Sequence, residues 1–282
     1  MVDARAGGQL PAFTSSWTTP ARVAGRNVVF DRGDGGNALS ALLAQPYDMA
    51  ITSVPAYLAS ASRDSVWAWG YRVLWVAEYT AHRIRAVFPN GTLTTAVGSA
   101  NAVRGFEGDG GAASSALLTF PRWCAGSTSR PGLWISENLR IRYVDTHGII
   151  VTIAGTGDMS YGGDGGAALS ANMSVGMLAV SSDGATVWIA DTAQYRIRRI
   201  ANGTIDTVAG TGTYGELIVG SLATSSPLSY IQGMAYNDAT GDVWFTDSYS
   251  YSKLMRVTAN GTLEAAVVGD LLPTSAYFNG FR

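Results

Sequence analysis

Short apolar runs separated by turn residues return in the same order four times along this chain. The segments "VLWVAEYTAHRIRAVFPNGTLTTAVG", "GLWISENLRIRYVDTHGIIVTIAG", "TVWIADTAQYRIRRIANGTIDTVAG" and "DVWFTDSYSYSKLMRVTANGTLEAAVVG" carry the pattern, and their tryptophans, Trp75, Trp134, Trp188 and Trp244, lie 59, 54 and 56 residues apart. A further apolar stretch centred on Ala50, Ala125, Ala179 or Ala235 precedes each, with separations of 75, 54 and 56, so the register agrees once an insertion in the first unit is allowed. Runs of this length bounded by turn signals predict strands, and a fixed period predicts a repeat architecture.

Each unit predicts a four-stranded antiparallel sheet. The first strand contains the aligned alanine. The second is the tryptophan strand, ending in Glu78, Glu137, Asp191 or Asp247. The third is the "RIRRI" strand, and the fourth follows a turn at Asn90-Gly91, His147-Gly148, Asn202-Gly203 or Asn260-Gly261. Asn-Gly favours a two-residue hairpin because both central positions tolerate positive φ. Units that cannot bury their own faces stack, so the expected fold class is all-β, a β-propeller of four-stranded antiparallel blades. The blades fall at about 44–98, 119–155, 174–210 and 230–269, within a propeller spanning 33–282. A parallel β-helix is the competing repeat fold, but its coils are much shorter than these units.

Three leads open with "GDGG", at Gly33, Gly108 and Gly163, each ahead of a stretch such as "AALSA". A nucleotide-binding glycine loop requires a strand and helix of a βαβ unit, which this pattern does not supply. Asp34, Asp109 and Asp164 are instead expected to satisfy free N–H groups of a short helical turn crossing from blade to blade. A calcium role is disfavoured, because each loop offers one acid where a hard cation wants several oxygens.

The lead "GDGGAALSA" with "WIADTAQYRIRRIANGTIDTVAGTG" resembles the NHL repeat, a propeller blade family, and the likeness extends over roughly residues 33 to 269, weakening in the fourth unit, where "VGSLATSSPLS" replaces the glycine-rich lead. NHL propellers typically have around six blades, and four are legible here. The segment 1–32 holds a candidate strand of a preceding or closing blade, "ARVAG", and "TSAYFNGFR" a candidate new lead. A part of a longer propeller, a propeller with diverged further blades and a complete four-bladed ring all stay open. The resemblance also implies two activities found among relatives: lyases of amidated-peptide precursors with a histidine-rich metal site, and RNA binding on one basic face.

Composition narrows these. Glycine at 34 residues, with 8 Trp and 13 Tyr, fits aromatic strands joined by tight turns. The net charge of -2 gives no global field for nucleic acid or anionic lipid. No apolar run is long enough to span a membrane, and the start carries no basic and apolar leader pattern. Two histidines, His82 and His147, cannot make the lyase-type metal site alone, and no cofactor motif or metal set is legible. His82 takes the place of Tyr195 in its repeat and is expected to pack with a polar tip. Cys124, the one cysteine, precedes an aligned alanine and is expected to act as a small buried hydrophobe. The sequons at Asn90, Asn202 and Asn260 coincide with the turns, while Asn172 makes a fourth. No G-x-S-x-G elbow or Ser/His/Asp spacing points to a hydrolase.

The acid ending each tryptophan strand precedes a base, and a pair across the hairpin bend is expected to tie the two strands: Glu78 with Arg83, Asp191 with Arg196, Glu137 with Arg140, and Asp247 with Lys253. Arg85, Arg142 and Arg198 lie further along the third strands, where alternate arginines are expected to face water; they define the alternative RNA face, against which the single lysine and the acidic balance argue. The insertion in the first unit holds Trp67, Trp69 and Tyr71, expected either as aromatic anchors of a recognition loop or as part of a longer hairpin packed against its own blade. The reading taken forward is a non-enzymatic scaffold presenting loops to a protein, peptide or glycan. Its alternatives are a metal-dependent lyase or lactonase-like enzyme, which needs carboxylates converging in the channel, and the RNA-binding propeller.

Overall fold

A computed structural model describes residues 33–53, 58, 72–127, 129–248 and 253–265. The "ARVAG" segment, the "TSAYFNGFR" segment and Trp67, Trp69 and Tyr71 lie outside the described residues. The described chain is a β-propeller arrangement of four antiparallel sheets. Blade 1 comprises β1 (Gly36–Asn37), β2 (Pro46–Ser53), β3 (Arg72–Glu78), β4 (Arg83–Val87) and β5 (Thr92–Val97). Blade 2 comprises β6 (Pro121–Gly126), β7 (Leu133–Glu137), β8 (Arg140–Val144) and β9 (Ile150–Ala154). Blade 3 comprises β10 (Gly166–Ala167), β11 (Val175–Val180), β12 (Thr186–Asp191), β13 (Arg196–Ala201) and β14 (Thr204–Ala209). Blade 4 comprises β15 (Ile231–Asn237), β16 (Asp242–Asp247), β17 (Lys253–Val257) and β18 (Leu263–Ala265).

Each lead does more than cross between blades. It runs along the outer edge of the blade it introduces: β1 pairs with β5, β10 with β14, and single bridges join Ala112 to Ile149 and Leu222 to Thr262. This covers an otherwise open sheet edge. A three-residue 3-10 turn follows each time, at Ala38–Ser40, Ala113–Ser115, Ala168–Ser170 and Ala223–Ser225.

The hairpin turns between third and fourth strands are of two kinds. Asn202 and Gly203 both have positive φ, 51° and 76°, giving the two-residue turn expected from Asn-Gly. In the other three blades only Gly91, Gly148 and Gly261 are left-handed. Their loops are longer and are closed by side chains: Asn90 Oδ1 accepts from Thr92 N and Asp145 Oδ1 from Ile149 N.

The core lies between blades rather than within them. The tryptophan strands are buried on both faces, which explains near-continuous apolar runs where a half-solvated strand would alternate. Trp75 faces blade 2, donating its indole N–H to Thr52 Oγ1 at 2.7 Å, and Trp188 stacks on Tyr236 of blade 4 with ring centroids 3.7 Å apart. Trp75, Trp134 and Trp188 are 1%, 2% and 6% exposed, whereas Trp244 is half-buried. The inner strands pack in sequence, β2 on β6, β6 on β11 and β11 on β15, and no comparable packing returns β15 to β2 among the described residues. The four described blades therefore do not close on one another. No described helix is long and apolar enough to cross a membrane.

Candidate functional site

The glycine-rich leads resolve into a structural joint built around one buried arginine per blade. Arg85, Arg142 and Arg198 each have no exposed surface. Their Nη2 atoms meet Asp34, Asp109 and Asp164 at 2.8, 2.7 and 2.6 Å. Their Nη1 atoms face Glu78, Glu137 and Asp191 at 3.8, 3.4 and 3.4 Å, and donate to the carbonyls of Leu42, Leu117 and Asn172. The acid also receives a backbone N–H from the chain entering the first strand: Ala44 to Glu78, Thr119 to Glu137, Ser174 to Asp191. Lead, second strand and third strand are thus held by one guanidinium, whose planar fork can serve two carboxylates at once.

This geometry corrects three expectations. Asp34, Asp109 and Asp164 do not cap the helical turns: the residue at that cap is Asn37, Ala112 or Ala167, and each aspartate gives one oxygen to arginine, the second oxygen of Asp34 and Asp164 accepting from the fourth strand at Thr95 Oγ1 and Thr207 N. Arg85, Arg142 and Arg198 do not face water and cannot form a nucleic-acid face, because a phosphate could reach them only by opening the blade. The ion pair across the hairpin bend is found as a close contact in blade 1, where Arg83 Nε lies 2.6 Å from Glu78. Elsewhere the first base of the third strand turns to the glycine-rich leads, Arg140 donating to Thr156 O and Arg196 to Thr211 O of the following lead, while each also meets its own. Arg140 stacks on Phe106 at 4.3 Å, Arg196 on Tyr161 at 3.9 Å, and Lys253 pairs with Glu216 at 2.9 Å.

Blade 4 confirms the logic by exception. Met255 stands at the arginine position and Val219 at the lead aspartate, so both charges are exchanged together for apolar groups. Asp247, still buried, accepts from Ser229 N at 2.6 Å and from Ser229 Oγ at 2.8 Å.

Exposed aromatic side chains gather in two groups. At the end of the sheets where second strands turn into third, Tyr47, Tyr79, Phe120 and Trp123 form a cluster across blades 1 and 2, with centroid separations of 4.8 to 6.4 Å. Arg122 lies 5.2 Å over Tyr79 and 5.7 Å over Tyr47. His82 packs edge-on against Phe120, and its Nδ1 accepts from Phe120 N at 3.1 Å. Burial and the charge of Arg104 hold this histidine below the usual range, as an acceptor requires. The same end of blades 3 and 4 carries Tyr195, Tyr214 and Tyr230, with centroids 5.4 to 6.1 Å apart. Tyr47, Tyr214 and Tyr230 are about half exposed, at 49%, 43% and 55%. At the opposite end, a cavity of about 340 Å³ lies between blades 2 and 3, with Trp134, Tyr143, Val187 and Ile200 in its wall. Arg130 caps it, lying 5.0 Å over Tyr143.

The gathering of these tyrosines and Arg122 is not legible in the sequence, because side chains of adjacent blades meet only once the sheets pack, although some occupy equivalent positions, Phe120 with Tyr230 and His82 with Tyr195. The residues present do not fit a histidine-rich metal centre: His82 is engaged by Phe120, His147 is exposed in a turn beside Asp145, and among the described residues no three His, Cys, Asp or Glu side chains are placed to hold a metal. Cys124 is 5% exposed, packed in the core between blades 1 and 2, where burial raises its thiol pKa well above the usual range.

Comparison with protein-family models gives no match, and comparison with curated proteins gives none. Solved structures do match. An auxiliary nutrient binding protein from Bacteroides ovatus is 11% identical, with 79% of this chain and 47% of that one covered and a TM-score of 0.51. A gluconolactonase from Xanthomonas campestris is 15% identical, with 79% and 61% covered and a TM-score of 0.47. The virginiamycin B lyase from Staphylococcus aureus is 16% identical, with 69% and 51% covered and a TM-score of 0.40. The chain thus spans about half to three fifths of the length of these proteins. At such identities the likeness is one of fold, and the fold is that of a β-propeller.

Proposed function

We propose that the chain is an NHL-like propeller acting as a non-enzymatic binding scaffold, whose blade ends engage a protein, peptide or glycan partner. The observation that carries this reading is the pair of half-exposed aromatic clusters at one end of the blades, Tyr47–Tyr79–Phe120–Arg122 and Tyr195–Tyr214–Tyr230. Tyrosine and arginine are the side chains that anchor interfaces most effectively, since a rigid ring gives apolar contact and a polar tip at little entropic cost. They sit at strand ends and in the adjoining loops of a stiff sheet scaffold, close to the usual placement of recognition residues. The buried arginine joints repeated in blades 1 to 3, by contrast, are consumed by the fold. Trp67, Trp69 and Tyr71 belong to the proposal as further anchors.

The test is a screen of immobilised oligosaccharides and a displayed random-peptide library against the purified chain and two variants, Tyr214→Ala/Tyr230→Ala and Tyr47→Ala/Arg122→Ala. Ligands selected by the native protein should lose at least about tenfold in affinity with one of the variants, as hot-spot residues do. Selected ligands indifferent to both would remove the aromatic end from consideration.

A further inference from the structure

The two end blades of the described chain leave complementary faces uncovered. Consecutive blades meet through a repeated interface: a front face on the later blade packs against a back face on the earlier one. On the front face, Cys124 of blade 2 and Leu178 of blade 3 are 5% and 9% exposed. The equivalent Met49 of blade 1 is 64% exposed, and Ile51, which stands where Tyr236 covers Trp188, is 61% exposed. On the back face, Ala179 is 6% exposed while the equivalent Ala235 of blade 4 is exposed, and Trp244 is half-buried where its three counterparts are covered.

We infer that two copies of the chain associate head to tail, the front face of blade 1 in one copy seating on the back face of blade 4 in the other. The faces are the two halves of an interface already made three times inside the chain, so shape and polarity match by repetition. Ile51 and Met49 would cover Trp244 as Tyr236 and Met234 cover Trp188. Charge offers no obstacle: beside Trp244, Arg256 is held between Asp242 at 3.2 Å and Glu264 at 2.7 Å, so its cation is already matched. An apolar face of this kind left in water is a poor solution for a stable protein, and a blade is the surface that fits it. Because the contact joins unlike faces, it is heterologous, and it either closes into a ring or continues into a longer assembly.

Sedimentation velocity of the full chain across the micromolar range tests this, with two variants at exposed positions: Met49→Glu/Ile51→Glu on the front and Ala235→Glu on the back. Circular dichroism identical to the native protein confirms that each folds. The native chain should sediment at twice the monomer mass or more. Each variant alone should be monomeric, having one face disabled in every copy, and an equimolar mixture should recover a one-to-one pair through the two intact faces. A native chain that stays monomeric throughout would overturn the proposal, the faces then being covered by the chain's own further residues or by another protein. So would variants that keep the native mass, or a mixture that fails to pair.

Discussion

Arg198 and Asp164 lie 2.6 Å apart although 34 residues separate them, and the guanidinium between Asp164 and Asp191 has no exposed surface. Removing one member of such a set strands the others, whereas exchanging both for apolar groups is tolerated, as Val219 and Met255 show in blade 4. We expect Arg198→Met alone to cost about 3 kcal/mol. Asp164→Val/Arg198→Met should cost less than the sum of its two single changes by at least about 1 kcal/mol. Ser174, equivalent to Ser229, is available to turn its hydroxyl to Asp191. Urea denaturation of the four proteins measures the coupling; strict additivity would deny it.

The buried acids Glu137 and Asp191 are shifted upward. Burial pushes Glu137 up to about 8 against the pull of Arg142 and Arg140, and Asp191 up to about 6. An unfolded glutamate titrates near ~4.3, so between that value and the folded one the native chain binds the proton more tightly than the unfolded chain does. Its contribution to stability is therefore complete below the unfolded value and declines as pH rises toward the folded one. Thermal melts of Glu137→Gln and native protein should diverge in the variant's favour on going from pH 5 to pH 8. A melting difference independent of pH would contradict the raised carboxyl.

Gly163 and Gly165 belong to one "GDGG" segment but do different work. Both are left-handed, with φ of 93° and 77°. A methyl group on Gly163 would lie 2.7 Å from Ala171 Cα, whereas one on Gly165 meets open space. Gly165→Ala should cost about 1 kcal/mol from the backbone alone, and Gly163→Ala at least about 3. Equal costs in chemical denaturation would show that close packing of the lead is not what this glycine provides.

Cys124 should react with iodoacetamide only as fast as blade 1 and blade 2 separate, since its thiol is buried and its pKa raised by burial and by Asp48. The alkylation rate should rise steeply through the urea transition and stay low before it. Rapid labelling under native conditions would place the residue elsewhere than between those blades.

Much of the fold was legible in the chain. The recurring tryptophan strand, the turn glycines and the period near 56 residues specify sheets that must stack, because pattern and turn chemistry act over a few residues and need no distant partner. The fate of the charges was only half legible. The acid after each tryptophan strand, the "RIR" pattern and the lead aspartate are all visible, and so is their joint loss in blade 4, where "VGSLATS" and "KLMR" appear together. That joint loss was the signal for the buried triad, and spacing along the hairpin pointed instead to the nearer base.

The sequence by itself determined the unit, its strand order and its joints, since local propensity and burial of a periodic apolar face leave few other solutions. Only the tertiary structure decided which arginine meets which carboxylate, which tyrosines from separate blades gather at one end, and that, among the described residues, blades 1 and 4 keep uncovered faces. Those outcomes depend on distances between residues tens of positions apart, which are set by how the sheets pack and not by anything either residue encodes alone.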